Sequence, residues 1–471
     1  MPRVVLGLTL LAAAVRFPTL GVQSLGGDEG FTHALATGPW GGLWDGVRHT
    51  ESAPPLSYAL AWGWVRLFGD GEVGLRSLTA LLGTALVPVT FLAAREVVSR
   101  RAAVVAAGLV ALAPFLVWYS QEARAYALLA LLGTASFGLA ARARREPTWR
   151  ALLGWGVVSA LALATHYFAI FALAAETVWL FHGLAGRRRQ LGLTLAVPVA
   201  IGAALLPLLL YQNAHVPRPW TSVFGPRDQL SATVEEFAVG PTWTWLIHRP
   251  GVAVALACVA MAAWALVRGG RRVERRGALI AAAVALAILV VPLALSLVGP
   301  TYLAPRNVIV ALPIGAVALA AGLTAGRAGL VAGVALVALW LAIDVAVPLT
   351  PALQRAPWRE AAADLGTSPD ARLLLLPDGF LEPRVARTYL PAARVVKGTP
   401  PPVREVVIIG STRYARRVLD TPPGAGFVLV ERRDRRADLG MTRWVATRPT
   451  RPAVPAGGVA LALPGGSRSR R

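Results

Sequence analysis

The sequence predicts an α-helical polytopic membrane protein, about eleven transmembrane helices followed by a small C-terminal α/β soluble domain, and three observations carry that expectation. Hydrophobic residues make up 55% of the 471 and charged residues only 15%, and the mean hydropathy of +0.56 lies well above that of a water-soluble domain. Apolar runs close to the roughly 20 residues that cross about 30 Å of hydrocarbon recur from the N-terminus to residue 349. Beyond that point the apolar stretches shrink to strand length.

The runs fall near 4–20, 75–97, 102–119, 124–141, 151–165, 167–185, 191–210, 251–267, 278–298, 307–325 and 328–347. The formal net charge of +22 comes from arginines set in short clusters between these runs, not on one solvated face. That placement argues against a nucleic-acid partner and makes the charge a topology signal. Arg100 and Arg101, then Arg142, Arg144 and Arg145, then Arg187 to Arg189, then Arg268, Arg271, Arg272, Arg275 and Arg276, and finally Arg327 mark alternate connections as cytoplasmic. The intervening connections hold Asp28, Glu29, Glu51, Glu122, Asp228, Glu235 and Glu236 and face outward. The expectation is a multi-pass protein of the cell (plasma) membrane with a cytoplasmic N-terminus and an extracytoplasmic C-terminal domain. Its divisions are a membrane domain over 1–349 with an interfacial outer loop at 21–75, an α/β domain over 350–463 and a disordered tail over 464–471.

Met1-Pro2-Arg3 ahead of an apolar run ending in Ala12-Ala13-Ala14 also fits a secretory signal. Cleavage would strip the following acidic loop of its anchor, so the run is read as the first span. Loop 21–75 is too apolar for a solvated linker, with Trp40, Trp44, Trp62 and Trp64 and the run Pro54 to Phe68. Trp prefers the headgroup level, and Pro54 and Pro55 open a helix there without losing needed N–H bonds. A second outward loop, about 211–250, repeats the mixture with Trp220, Trp243 and Trp245 and is read as capping the same cavity. After Pro348, Arg372 to Leu376, Glu405 to Ile409 and Gly426 to Val430 read as strands. Cys258 stands alone in an apolar run, which leaves no disulfide framework and no cysteine metal site.

An ionisable group at the centre of a bilayer costs roughly 2.5–3.5 kcal/mol on the insertion scale, so the positions of such groups are informative. Glu176 is the main one inside a span and reads as a packing hydrogen-bond partner. Arg16, Asp28, Glu29, Glu122, Arg124, His166 and Arg306 crowd the outward ends, where one pocket could gather them. Gly26-Gly27-Asp28-Glu29-Gly30 puts two carboxylates at the membrane surface, which suits a general base. If the segment is helical, neighbours project about 100° apart and only one faces a substrate; Asp28 is the choice, and an N-terminal helix cap is the alternative for both. In Tyr119-Ser120-Gln121-Glu122-Ala123-Arg124-Ala125-Tyr126, Arg124 suits a phosphate and Glu122 its orientation, against a local ion pair that closes the turn. Arg306, in Pro305-Arg306-Asn307, is a second cation on that side or simply an interfacial arginine. His166-Tyr167 joins two spans, where a lone histidine serves as hydrogen-bonded spacer or as catalyst. No His, Asp and Glu spacing matches a metal site.

With these residues placed, the chain resembles the GT-C superfamily of membrane glycosyltransferases, specifically the dolichyl-phosphate-mannose protein mannosyltransferase and RgtA/B/C/D-like group. The resemblance covers most of the membrane region. It rests on Asp28-Glu29, Pro54-Pro55-Leu56-Ser57-Tyr58, Ser120-Gln121-Glu122-Ala123-Arg124-Ala125-Tyr126, His166-Tyr167 and Pro305-Arg306-Asn307, with Pro357-Trp358-Arg359-Glu360-Ala361-Ala362 opening the soluble domain. It implies a GT-C fold and transfer of a sugar from a polyprenyl-phosphate donor to an extracytoplasmic acceptor, a glycan, glycolipid or protein, with inversion at the anomeric carbon. Mannose, arabinose, glucose and galactose donors all fall within it. Asp28 is then the catalytic base with Glu29 beside it, and Arg124 and Arg306 bind the donor phosphate. Glu51, His49, Tyr58, Glu122, Tyr126, His166 and Tyr167 line the substrate pocket. A preorganised donor facing the leaving phosphate in a dry site is worth about 3–4 kcal/mol.

One departure concerns the residue before the Pro-Pro pair, commonly polar in this group and here Ala53; His49 or Glu51 is the substitute. The first loop lacks an Asp-x-Asp motif, so no obligatory metal cofactor is expected, with a divalent metal as the alternative. The rival functions are a lipid or solute transporter or flippase, and a non-catalytic envelope-assembly protein whose soluble domain is a binding module. Transporters usually carry a midplane polar site between repeated halves. The sequence displays neither.

Overall fold

The computed structural model describes the chain apart from residues 1, 217–224, 242–244, 300–302, 367, 369, 378–382, 412–414, 436–438, 456–457 and 466–471. Trp220, Trp243 and the side chain of Trp245, expected in a capping loop, lie outside the described residues, as does the tail from 466 onward. The chain forms two compact units: Met1–Leu20 with Leu35–Val347, and Gly21–Ala34 with Pro348–Arg471.

In chain order the helices of the first part are α1 (Arg3–Arg16), α2 (Gly27–Thr37), α3 (Trp40–Thr50), α4 (Leu56–Phe68), α5 (Glu72–Ala94), α6 (Arg100–Leu112), α7 (Pro114–Ser120), α8 (Tyr126–Arg145), α9 (Trp149–Thr165), α10 (Ala169–Gly183) and α11 (Arg188–His215). There follow α12 (Pro226–Val239), α13 (Trp245–Gly269), α14 (Arg272–Leu295), α15 (Ala311–Leu323) and α16 (Gly326–Leu349). Among the described residues, six helices are long and apolar enough to cross a membrane: Glu72–Ala94, Tyr126–Arg145, Ala185–His215, His248–Gly269, Arg272–Leu295 and Gly326–Leu349. The pair α6 and α7, bent by 57°, makes a seventh if it counts as one span. The other four expected spans coincide with α1, α9, α10 and α15, which have 14, 17, 15 and 13 residues. At 1.5 Å per residue these reach about 20–26 Å, short of the roughly 30 Å hydrocarbon layer. Length and composition therefore support six or seven spans, and a count of eleven requires all four short helices as well.

The interior of this unit is rich in small side chains packed between larger ones such as Trp155, Phe91 and Phe137, and large apolar side chains also cover the outer faces, the arrangement expected where lipid replaces water. Ala102, Ala103, Ala106 and Ala107 of α6 are fully buried, and a Cβ on Gly322 would run into the backbone carbonyl of Ala262. Outward, Leu279, Leu286 and Val290 of α14 lie exposed at helical spacing, as do Leu330, Val331 and Val334 of α16.

The break between α6 and α7 follows from Pro114. A proline disfavours α geometry in the preceding residue, and Ala113 is extended at φ −65°, ψ 116°. Pro114 also has no N–H to offer the Val110 carbonyl. The fully buried Arg16 supplies the missing donors: Nη2 to Val110 O at 3.2 Å, Nη1 to Ala111 O at 2.7 Å, and Nε to Ser120 Oγ at 3.1 Å. Gln121 Nε2 closes the contact from the other side on Arg16 O at 2.8 Å and Thr19 Oγ1 at 2.6 Å. Arg16, expected in an outward pocket, is thus committed to the helix break. Arg16→Met should lower stability by about 2–4 kcal/mol, since buried carbonyls left without donors cost about 1–3 kcal/mol each. Thermal unfolding of the detergent-purified protein measures it.

In the second unit a six-stranded sheet has the order β2-β6-β1-β3-β5-β4, from β1 (Arg372–Leu376), β2 (Arg394–Val395), β3 (Val403–Ser411), β4 (Phe427–Asp434), β5 (Leu439–Thr450) and β6 (Val459–Leu463). Strands β1 and β3 are parallel, and the remaining pairs are antiparallel. The all-apolar Leu373-Leu374-Leu375-Leu376 run is buried on both faces, as a central strand requires. Helices α17 (Trp358–Leu365), α18 (Pro383–Tyr389) and α19 (Arg416–Leu419) complete it. The three expected strands are present. Strands β2, β5 and β6 were not expected: β2 is only two residues long, and Thr442 and Arg443 interrupt the apolar pattern of β5.

Candidate functional site

Helix α3 ends at Thr50 because Pro54 and Pro55 bar helical continuation, and Glu51 caps it in extended conformation at φ −113°, ψ 161°. The turn is held from outside by one buried carboxamide. Gln212 Nε2 donates to Val47 O at 3.0 Å and Ala53 O at 3.3 Å, while Tyr167 Oη donates to Gln212 Oε1 at 2.9 Å. The Glu51 side chain, 2% exposed, meets Arg124 in a fork: Nη1 to Oε1 at 2.9 Å and Nη2 to Oε2 at 2.8 Å. Tyr58 Oη adds a third donor to Oε2 at 2.7 Å, and burial raises the Tyr58 phenol well above its ordinary pKa. Such a carboxylate is nearly saturated, and it fixes the guanidinium in one plane.

Arg124 belongs to the turn between α7 and α8, and its guanidinium lies 5.7 Å from the centre of the Tyr58 ring. Tyr126, next along, is surrounded by Tyr119 at 5.2 Å, His166 at 5.9 Å and the Arg306 guanidinium at 5.8 Å. Arg306 stands on a short 3-10 turn, Pro305–Val308, ahead of α15. The structure therefore brings Glu51, Tyr58, Arg124, Tyr126, His166 and Arg306 into one neighbourhood. Glu122 is also buried, and its charge is felt by Glu236 of α12.

His166 is a buried, neutral member of this group. Its Nδ1 accepts the Phe168 N–H at 3.2 Å, which leaves the proton on Nε2. Burial, reinforced by the charges of Arg124 and Arg306, pushes its pKa down to about 3. Glu236 moves the other way. Burial, with Glu122 and Glu235 adding to it and Arg306 opposing, holds its carboxyl up to about 7, and among the described residues its Oε2 has no hydrogen-bond partner. Neither Gln212 nor Glu236 was a candidate on sequence grounds. A glutamine at the end of an apolar run and one acid of an outward-loop pair carry no distinguishing pattern.

His49 is exposed on α3, with Nδ1 2.8 Å from Asp45 O and its ring edge-on to Tyr211 at 5.3 Å. Tyr167 braces Gln212, as described above. Asp28 and Glu29 belong to the second unit, at the first turn of α2. Glu29 is fully buried and its Oε2 accepts the Gly26 N–H at 2.7 Å, the carboxylate half of a capping box. Asp28 beside it is half-buried. Among the described residues no cluster of three or more His, Cys, Asp or Glu could hold a metal ion.

Among solved structures, ArnT from Cupriavidus metallidurans bound to undecaprenyl phosphate superposes with a TM-score of 0.59 at 16% identity, over 94% of this chain and 98% of that one. Its apo state gives 0.57 at 15%, over 93% and 97%. The archaeal oligosaccharyltransferase AglB from Archaeoglobus fulgidus, in complex with an inhibitory peptide and a dolichol-phosphate, gives 0.50 at 15%, over 76% and 57%. At these identities the likeness is one of fold, the GT-C type. The sequence is more particular: residues 52–211 match the family described as dolichyl-phosphate-mannose-protein mannosyltransferase, a stretch that holds Tyr58, Arg124, Tyr126 and His166. No curated protein matches the chain.

Two outcomes follow from this geometry. Glu51→Ala takes the fork from a largely buried guanidinium and the acceptor from Tyr58 Oη, and should destabilise the protein by about 1.5–3 kcal/mol, measured by thermal unfolding against wild type. For His166 the folded pKa lies below the unfolded one, so its stability contribution is complete above about pH 6.5 and is lost as pH falls toward 3. Between pH 7 and 5 the wild type should lose about 2 kcal/mol more than His166→Asn, which has no ring proton to gain.

Proposed function

We propose that this chain is a membrane glycosyltransferase that moves a sugar from a polyprenyl-phosphate donor to a glycan, glycolipid or protein acceptor on the extracytoplasmic side, with inversion. The observation that carries the reading is the buried Glu51–Arg124 fork with Arg306 against Tyr126, lying in and beside the stretch that matches the mannosyltransferase family. A phosphate leaving group needs fixed cations. Arg124, oriented by Glu51, and Arg306 supply them, and Tyr126 and Tyr58 give the pocket aromatic walls. The acceptor oxygen attacks the anomeric carbon, the bond from that carbon to the phosphate oxygen breaks, and polyprenyl phosphate departs with the added negative charge. Asp28 takes the proton from the acceptor hydroxyl. Glu29, whose carboxylate caps α2, supports Asp28 rather than sharing that task.

The neutral His166 fits a pocket wall and not an acid or base at physiological pH. In this reading the N-terminus is cytoplasmic and the C-terminal domain extracytoplasmic, consistent with the alternation of arginine-rich and acidic connections. No step requires a metal.

Transfer from radiolabelled polyprenyl-phosphate sugars in vesicles containing the purified protein tests the proposal. Asp28→Asn should slow transfer by about 10²–10⁴-fold, and Arg306→Ala by about 10²-fold or more. Vesicles that move label across the bilayer without attaching it to any acceptor would point to a carrier, and full transfer by Asp28→Asn would remove the assigned base.

A further inference from the structure

We infer that the C-terminal domain holds the segment before α2 and positions Asp28, with Tyr389 as the principal positioning residue and Arg355 and Arg359 as its partners. The inference rests on the glycosyltransferase reading above, in which Asp28 is the base. The observation is a run of ties between residues more than 300 positions apart in sequence. The Leu25 N–H donates to Tyr389 Oη at 2.7 Å. Ser24 Oγ accepts the Arg359 N–H at 3.1 Å, and Gln23 Oε1 accepts the Arg355 N–H at 2.9 Å. Arg359 Nη2 reaches back to Gly21 O at 3.0 Å and Val22 O at 3.3 Å. Every residue from Gly21 to Leu25 is therefore fastened to the domain, and Gln23, Ser24 and Leu25 are buried there.

The helix that follows is seated as well. Thr388 Oγ1 and His33 Nδ1 are 3.3 Å apart, and the Arg384 guanidinium lies 4.4 Å from the centre of the Phe31 ring. Gly30 faces α18 so closely that a Cβ there would stand 2.7 Å from Val385 N and 3.0 Å from its Cα. That contact sets the rotation of α2 about its axis. Asp28, two residues earlier and about 200° around the helix, is turned to the face opposite Val385. A carboxylate on a glycine-rich stretch, Gly26-Gly27-Asp28, would otherwise sample many directions, and a base must stay within hydrogen-bond reach of its proton. The domain converts a flexible leader into a fixed mount.

The experiment uses the full-length protein in vesicles with radiolabelled polyprenyl-phosphate sugar. Tyr389→Phe removes the acceptor for the Leu25 N–H with little change of shape, and Gly30→Ala inserts a Cβ against Val385. Each should lower kcat by about tenfold while the donor KM stays within about twofold. Tyr389→Phe added to Asp28→Asn should leave the slow rate of Asp28→Asn unchanged, because there is no base left to position. Added to Arg306→Ala, it should multiply the defect. Wild-type rates in both Tyr389→Phe and Gly30→Ala, with Asp28→Asn crippled, would overturn the positioning role alone. So would a tenfold loss from Tyr389→Phe on the Asp28→Asn background, which marks general destabilisation. A wild-type rate in Asp28→Asn would overturn the reading of Asp28 and the positioning with it.

Discussion

A largely buried guanidinium needs a partner, and the fork between Arg124 and Glu51 is the pairing on which the site depends. Each surrounding feature serves to put that carboxylate in place. Pro54 and Pro55 end one helix and start the next, so Glu51 sits in a tight turn and not on a helix face. Gln212 binds both ends of the turn, Tyr167 orients Gln212, and Tyr58 saturates the oxygen that Arg124 leaves partly open. Arg124 is thereby held in a single plane, with Arg306 approaching from a different helix start. Under the proposed function, a phosphate leaving group would meet donors already oriented, which is the condition for electrostatic catalysis.

The same rule governs polar groups away from the site. Arg16 answers carbonyls exposed by the break at Pro114. Glu176 Oε2 accepts from Trp155 Nε1 at 2.7 Å and from Ser136 Oγ at 2.5 Å, the packing role its sequence position suggested, while its Oε1 has no hydrogen-bond partner among the described residues. Both occur among helices packed through alanine and glycine, where no water can solvate an unmet group. Polar residues in this unit thus act as fasteners between segments. That explains why Arg16, which looks like a pocket residue by position, is absorbed into the architecture.

Segments far apart in the chain share one unit, and that rearranges the apparent division of labour. The acidic stretch after the first helix is built into the soluble domain through backbone and side-chain hydrogen bonds that begin with Gln23, Ser24 and Leu25. Read linearly, that stretch is a loop of the membrane region. In three dimensions it is part of the domain that starts at Pro348.

The membrane class, the long helices and three of the six strands were legible without coordinates, because hydropathy and period are properties of each segment measured against its solvent. Glu51 and Tyr58 entered as pocket residues only through the family resemblance, whereas Arg124, Tyr126, His166 and Arg306 were also legible as chemistry, since polar groups at the ends of apolar runs stand out. Their partners were not. Nothing in the sequence distinguishes Glu51 as the residue that meets Arg124 73 positions away, His49 as one that faces outward, or Gln212 as the brace for both ends of a turn more than 150 positions earlier. Local propensity determined which segments enter the bilayer and where charge collects. Which carboxylate closes on which cation depends on contacts between distant segments, and only the tertiary structure decided it.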